Sequence, residues 1–268
     1  MFDPALTVFL RKEWRDLKGS PQILPGYLIL PVLVLVVPAL MIALFPLDPA
    51  NAPDPDIATL MRFAARDPLL AVYPEAERLP RLIVREAVML FLLMPVLLSG
   101  MSAALAIAGE KQQRTLEPLL ATPLSDRDFL VAKLLAILVP SVVATWLSAV
   151  AYTVVIGIVS TVRFGVLMLP GPAFGLVIVA LVPLAGAAAA LMGMRASMRA
   201  ADVQSAVQTA SLWVIPIGLV GITTVGRLAV RSLPAAAGGT FVMAGVAWWM
   251  FRLTRKRFER EEILTRWV

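Results

Sequence analysis

The stretch GEKQQRTLEPLLATPLSDRDF, residues 109–129, lies between two long runs that carry no charged residue. Read locally, it is an ordered element. Thr115 caps a short helix, with Pro118 inside its first turn, where the missing N–H costs nothing. Leu116, Leu119 and Leu120 then fall at i, i+3 and i+4 on one side of that helix, and Ala121, Thr122 and Pro123 end it. Ser125 to Asp128 forms an S-x-x-D cap opening the next helix. Asp126 and Asp128 suit the positive end of that helix. A connection of this build has leucines with no partners in their own loop. They pack on the protein's own helices, or they fill a groove on another protein, as amphipathic helices commonly do.

The surroundings decide what kind of chain this is. Six runs lack Asp, Glu, Lys and Arg altogether: 19–47, 87–109, 134–162, 164–194, 203–226 and 232–251. Each is at least 20 residues long, and about 20 residues of helix cross the ~30 Å hydrocarbon core. Helices satisfy their own backbone groups in lipid. The 268 residues are 59% hydrophobic and 16% charged, with a mean hydropathy of +0.84. Soluble chains carry about 25% charge. The expectation is an all-α polytopic membrane protein in one transmembrane domain, 1–268. Its spans are placed at about 22–46, 87–109, 129–158, 173–194, 203–225 and 234–252, with a connecting loop at 110–128.

Six spans put both termini on one side. Sixteen of the 24 Lys and Arg residues lie in the terminal segments and the two loops on that side. By the positive-inside rule, both termini are cytoplasmic. The net charge of +6 reflects this bias rather than nucleic-acid binding. Near the start, Asp3-Pro4 reads as a cap with proline at the first helical position. Leu6, Leu10, Trp14 and Leu17 recur at helical spacing, and Arg11, Lys12, Arg15 and Lys18 cover other faces. Residues 1–19 therefore read as an interfacial amphipathic helix touching membrane lipids. Ala50-Asn51-Ala52 resembles a signal-peptidase site, but the preceding uncharged run of 29 residues exceeds the ~7–15 of a signal core. It reads as a retained first span, kinked at Pro25, Pro31 and Pro38.

The external loop 47–86 is the only sizeable soluble piece, with a helix expected near 56–66 and too little chain for a core of its own. In the fourth span Ala185, Ala189 and Gly193 fall four apart, so helix backbones can approach closely there. That stripe suits a subunit interface or packing within one subunit. Between spans five and six, Gly221, Gly226, Pro234, Gly238 and Gly239 permit broken or re-entrant helix ends. The tail 253–268 reads as a charged helix extending the last span.

The inventory of chemistry is short. There is no histidine and no cysteine, which removes histidine relays, HExxH sites, thiolate metal sites and disulfides. No GxxxxGK[ST] phosphate loop occurs. None of the six runs holds the intramembrane ionisable residue that marks an ion-coupled carrier. Two polar stripes remain as candidate translocation paths: Ser141, Thr145, Ser148 and Tyr152 on span three, and Gln204, Gln208 and Ser211 on span five. Interhelical hydrogen bonding is the alternative for each.

Gly109-Glu110-Lys111, Arg114 to Glu117, Leu119-Leu120, Pro123 and Lys133 together resemble the signature of ATP-binding-cassette type-2 permeases of the export-type, type V fold. A glycine often precedes the threonine in that family; here it is Arg114. The resemblance implies that 115–122 is a coupling helix seated in a cleft of a separate ATPase, with Glu110, Thr115, Leu116, Glu117, Leu119 and Leu120 as the coupling residues. It further implies two ATPase subunits that bind ATP and Mg, a second permease copy, short re-entrant helices between spans five and six, and a place in the plasma (bacterial inner) membrane. On this reading the chain is a permease, not itself an enzyme, with no cofactor of its own and an unidentified, lipid-like or amphiphilic cargo. The competing reading is a membrane anchor or sensor that recruits a cytoplasmic partner and transports nothing.

Overall fold

The computed structural model describes residues 12, 15, 23–44, 55–112, 125–200 and 202–256. Among them there is no strand. Eight helices follow in order: α1 (Leu24–Leu44), α2 (Pro55–Arg66), α3 (Glu75–Glu86), α4 (Val88–Gln112), α5 (Asp126–Phe164), α6 (Pro172–Arg199), α7 (Val203–Arg231) and α8 (Leu233–Lys256). Six are long and apolar enough to cross a membrane. Lys12 and Arg15 are helical; the remainder of the 1–19 amphipathic segment, the 115–122 helix and the 257–268 tail lie outside the described residues.

Burial separates a centre from a rim. In the spans containing α4 and α6, 67% and 56% of the most apolar window is covered by protein, against 17% in α1, 19% in α7 and 6% in α8. Small residues explain the centre. Gly100, Ala103 and Ala104 on α4 meet Ala189 and Gly193 on α6, and Val96, Ala104, Ala185, Ala189 and Val214 share one cluster with α7. The Ala185/Ala189/Gly193 stripe thus packs within the subunit. Two serines join the same helices: Ser99 Oγ lies 2.7 Å from the Gly186 carbonyl, and Ser197 Oγ donates to the Ala104 carbonyl at 2.6 Å while accepting from the Ala108 N–H. The rim carries bulky apolar side chains instead, such as Leu28, Ile29, Leu147, Val150, Leu212, Trp213, Phe241 and Trp249, all exposed. In a membrane those faces meet lipid or another subunit.

α5 begins as its cap predicts: Ser125 Oγ accepts from the Asp128 N–H and donates to the Asp128 carboxylate. It runs 39 residues to Gly165, whose φ of +68° stops it in the left-handed region, a conformation glycine adopts without strain. α6 holds a π turn, Val177–Leu181, just before Pro183. In the widened turn the Val182 N–H bonds the Val177 carbonyl, so the Ile178 carbonyl would next look to residue 183, a proline with no N–H. Trp146 Nε1 of α5 supplies that hydrogen bond at 2.9 Å.

Two connections carry helical stretches. The 47–86 segment contains α3 as well as α2, because Glu75 and Glu77 favour a helix start and Pro80 lies within its first two turns. Around it Ala64, Leu70 and Leu79 form a small apolar cluster reaching Phe164 of α5, so this segment gains a core by leaning on a span. In the connection between the last two spans the short helical stretch Arg227–Arg231 continues α7, and one residue separates it from α8. Gly221 and Gly226 stay right-handed helical (φ −61° at both) through a second π turn, and the single extended residue Ser232 turns the chain into α8.

Candidate functional site

The two ends of the 113–124 loop are tied together by charge. Glu110, one turn from the end of α4, accepts from Lys133 Nζ of α5 at 2.6 Å through Oε2. Its other oxygen, Oε1, accepts from Lys12 Nζ at 2.9 Å. The Lys133 side chain is only 1% exposed, Glu110 10% and Lys12 37%. One carboxylate therefore joins Lys12, the end of span two and the start of span three. The Phe129 ring, one turn before Lys133, lies 5.5 Å from its ammonium, within cation–π range.

The physical logic is that of a desolvated ion pair. Lys133 and Glu110 have lost their water, so each depends on the other; removing one partner of such a pair costs about 3–5 kcal/mol. Lys12 is half in water and reaches the site by its flexible stem. The arrangement has no nucleophile, proton relay or open metal position. Among the described residues no cluster of three metal-ligating side chains exists. What it can do is mechanical: hold α4, α5 and the N-terminal segment as one body at the point where the loop leaves and returns.

The other sequence candidates fall into three groups. Thr115, Leu116, Glu117, Leu119 and Leu120 lie outside the described residues. Ser141, Thr145, Ser148 and Tyr152 do share one face of α5, and all four are buried. The Ser141, Thr145 and Ser148 hydroxyls donate to carbonyls of their own helix. Tyr152 donates to the Val84 carbonyl at 3.1 Å and packs edge-on against Phe91 at 5.2 Å between centroids. Gln204 and Gln208 are exposed near the start of α7, and the half-buried Ser211 donates to the Gln208 carbonyl.

Lys133 enters the sequence reading only as part of the family signature, and Lys12 only as a basic residue on the N-terminal segment. A signal existed: Glu110 follows the uncharged run 87–109, and Lys133 precedes the uncharged run 134–162. Opposite charges at the same-side ends of consecutive spans sit at the same depth. Lys12 had no such signal, because its position depends on how the N-terminal helix docks.

The sequence model of the ABC-2 family transporter proteins matches residues 8–236 of this chain. No curated protein and no solved structure matches it. The match spans the N-terminal segment, five of the six membrane helices and the start of the sixth, so the chain belongs to the ABC-2 transporter family. It is a multi-pass membrane subunit of an ABC transporter, a family whose permeases work with an ATPase partner.

Proposed function

Taking that membership as premise, we propose that the chain is the permease of an ATP-driven exporter, in which ATP hydrolysis by two separate cytoplasmic ATPase subunits moves an amphiphilic cargo outward through a pair of permease copies. ATP and Mg²⁺ are bound by the ATPase subunits, and both termini of the permease face them from the bacterial inner membrane. On this reading residues 115–122 are the coupling helix, with Leu116, Leu119 and Leu120 filling the ATPase cleft and Thr115 and Glu117 among the coupling residues.

The observation that carries this reading is the Lys12–Glu110–Lys133 cluster. A push on the coupling helix does work on the spans only if its two ends are not free to slide. Glu110 locks the end of α4 to the start of α5 and to the N-terminal segment, so displacement of the loop moves all three together. Gln204, Gln208 and Ser211, on a face of α7 that the subunit itself leaves uncovered, are the better placed of the two polar stripes for a path between copies. The α5 stripe is bonded and packed inside the subunit, which supports a structural role.

The test is Leu119→Asp in the permease co-purified with its ATPase. The variant remains folded in the membrane and loses substrate-stimulated ATPase activity or assembly with the ATPase. Full stimulation and assembly in Leu119→Asp would defeat the coupling role. ATPase binding without any stimulation by the wild-type permease, and with no ATP-dependent solute movement in vesicles, would establish an anchor instead.

A further inference from the structure

At the end of the molecule opposite Glu110 there is a cavity of about 260 Å³ between α3, the α5–α6 connection and the α7–α8 turn. Its lining contains three arginines, Arg81, Arg85 and Arg231, and no acidic residue. The carboxylates that balance them lie outside the lining: Asp67 and Glu86 accept from Nη2 of Arg85 at 2.5 and 3.2 Å, and Glu77 accepts from Arg81. Arg85 keeps two further donors, Nε and Nη1, buried with no acceptor among the described residues. A buried donor without an acceptor costs about 1–3 kcal/mol. Two helix N-termini border the same space, α6 at Gly171–Pro172 and α8 at Ser232–Leu233, and each adds partial positive charge.

The remaining wall is apolar and aromatic. Leu70, Val88, Met168 and Phe174 line it, and the Tyr73 ring is stacked by the Arg81 guanidinium at 3.9 Å. Val88 is the first residue of α4, so the cavity sits where the hydrocarbon begins. Its volume falls below the ~300–1,000 Å³ that encloses a whole drug-sized ligand. It is sized for a headgroup.

We propose that this cavity binds an oxyanion of the phosphate class, carried as the headgroup of an amphiphile whose chain leaves along the exposed apolar lining at Leu69, Leu169 and Leu233. The guanidinium groups give charge-assisted hydrogen bonds to the oxygens. The site lies at the opposite end of α4 from Glu110, and its test does not involve the ATPase, so its failure leaves the coupling reading untouched.

The experiment measures the thermal unfolding midpoint of the full-length permease in neutral detergent as three probes are titrated: oleoyl lysophosphatidate, inorganic phosphate and monooleoylglycerol. A saturable rise with lysophosphatidate, and none with the uncharged monooleoylglycerol, is expected. Arg231→Gln and Arg81→Gln weaken the apparent affinity at least tenfold, whereas Arg163→Gln, an exposed arginine outside the lining, leaves it unchanged. Binding of inorganic phosphate with equal affinity assigns the cavity to a free oxyanion, and binding of lysophosphatidate alone assigns it to an amphiphile; both uphold the oxyanion site. Equal shifts with monooleoylglycerol, no saturable shift with either anion, or equal loss in Arg163→Gln overturns it.

Discussion

Gly193 of α6 faces the Gly100 carbonyl of α4 so closely that a Cβ on Gly193 would stand 2.2 Å from that oxygen. It would also lie 2.9 Å from the Ala103 Cβ and 3.1 Å from the Ala104 nitrogen. Backbone cannot yield as a flexible side chain does, so the two central helices would have to move apart.

Gly193→Ala is therefore expected to destabilise the permease by about 1–3 kcal/mol, the range for overpacking. Gly245→Ala, with nothing within 4 Å of the added methyl, serves as the comparison. Unfolding midpoints of the two purified variants check this. Equal stability would show that α4 and α6 are less tightly apposed than their backbones indicate.

The Trp146–Ile178 hydrogen bond makes a second, more specific prediction. Trp146→Phe keeps an aromatic ring but leaves the Ile178 carbonyl without a donor, at a cost of about 1–2 kcal/mol in a membrane helix pair. Pro183→Ala restores an N–H at the position that the π turn skips. The double variant should lose less than the sum of the single losses, because the new N–H substitutes for the indole. A double-mutant cycle in unfolding free energy reads the coupling, and strict additivity would refute the substitution.

At the charge cluster, order of removal matters. Glu110→Gln takes the Glu110 carboxylate away from the buried Lys133 ammonium and should cost about 3–5 kcal/mol. Glu110→Gln combined with Lys133→Met removes the charge as well as its partner, and should recover most of that loss. Protein yield and unfolding midpoint are the readouts. A double variant as unstable as Glu110→Gln would mean that shape, not charge, governs the site.

The Asp67–Arg85 pair gives a pH dependence. The hydrogen bond from Arg85 holds the Asp67 carboxyl below its ordinary value of 3.8. A carboxylate with a lowered folded-state pKa contributes stability that is fully present above the unfolded value and is lost as pH falls through the folded one. The stability difference between wild type and Asp67→Asn should thus be flat above about pH 5 and shrink towards acid. Urea unfolding between neutral and acidic pH checks the slope, and a difference that grows on acidification would contradict it.

Much of this was legible before any coordinates. Charge-free runs longer than a bilayer is thick leave a chain few choices, because unsatisfied backbone groups are prohibitively costly in lipid, and six helices follow. The Ser125 cap is a local event, set by residues one turn away, whereas α5 runs past the expected end near 158 to the glycine at 165. Glu110 was singled out through the family signature, at the end of the uncharged run 87–109.

What needed tertiary structure is which face of each helix meets which neighbour. An apolar helix in a membrane has no polar side to point away from its partners, so hydropathy alone cannot tell Leu191, which is buried, from Leu212, which is exposed. The small-residue stripe on α6 suited two partners until Gly100 was found against Gly193. Likewise, Arg81, Arg85 and Arg231 look like three separate loop charges in the sequence; the α7–α8 turn brings the third to the other two. Local spacing determined the helices and their ends, and close packing of helix backbones decided the rest.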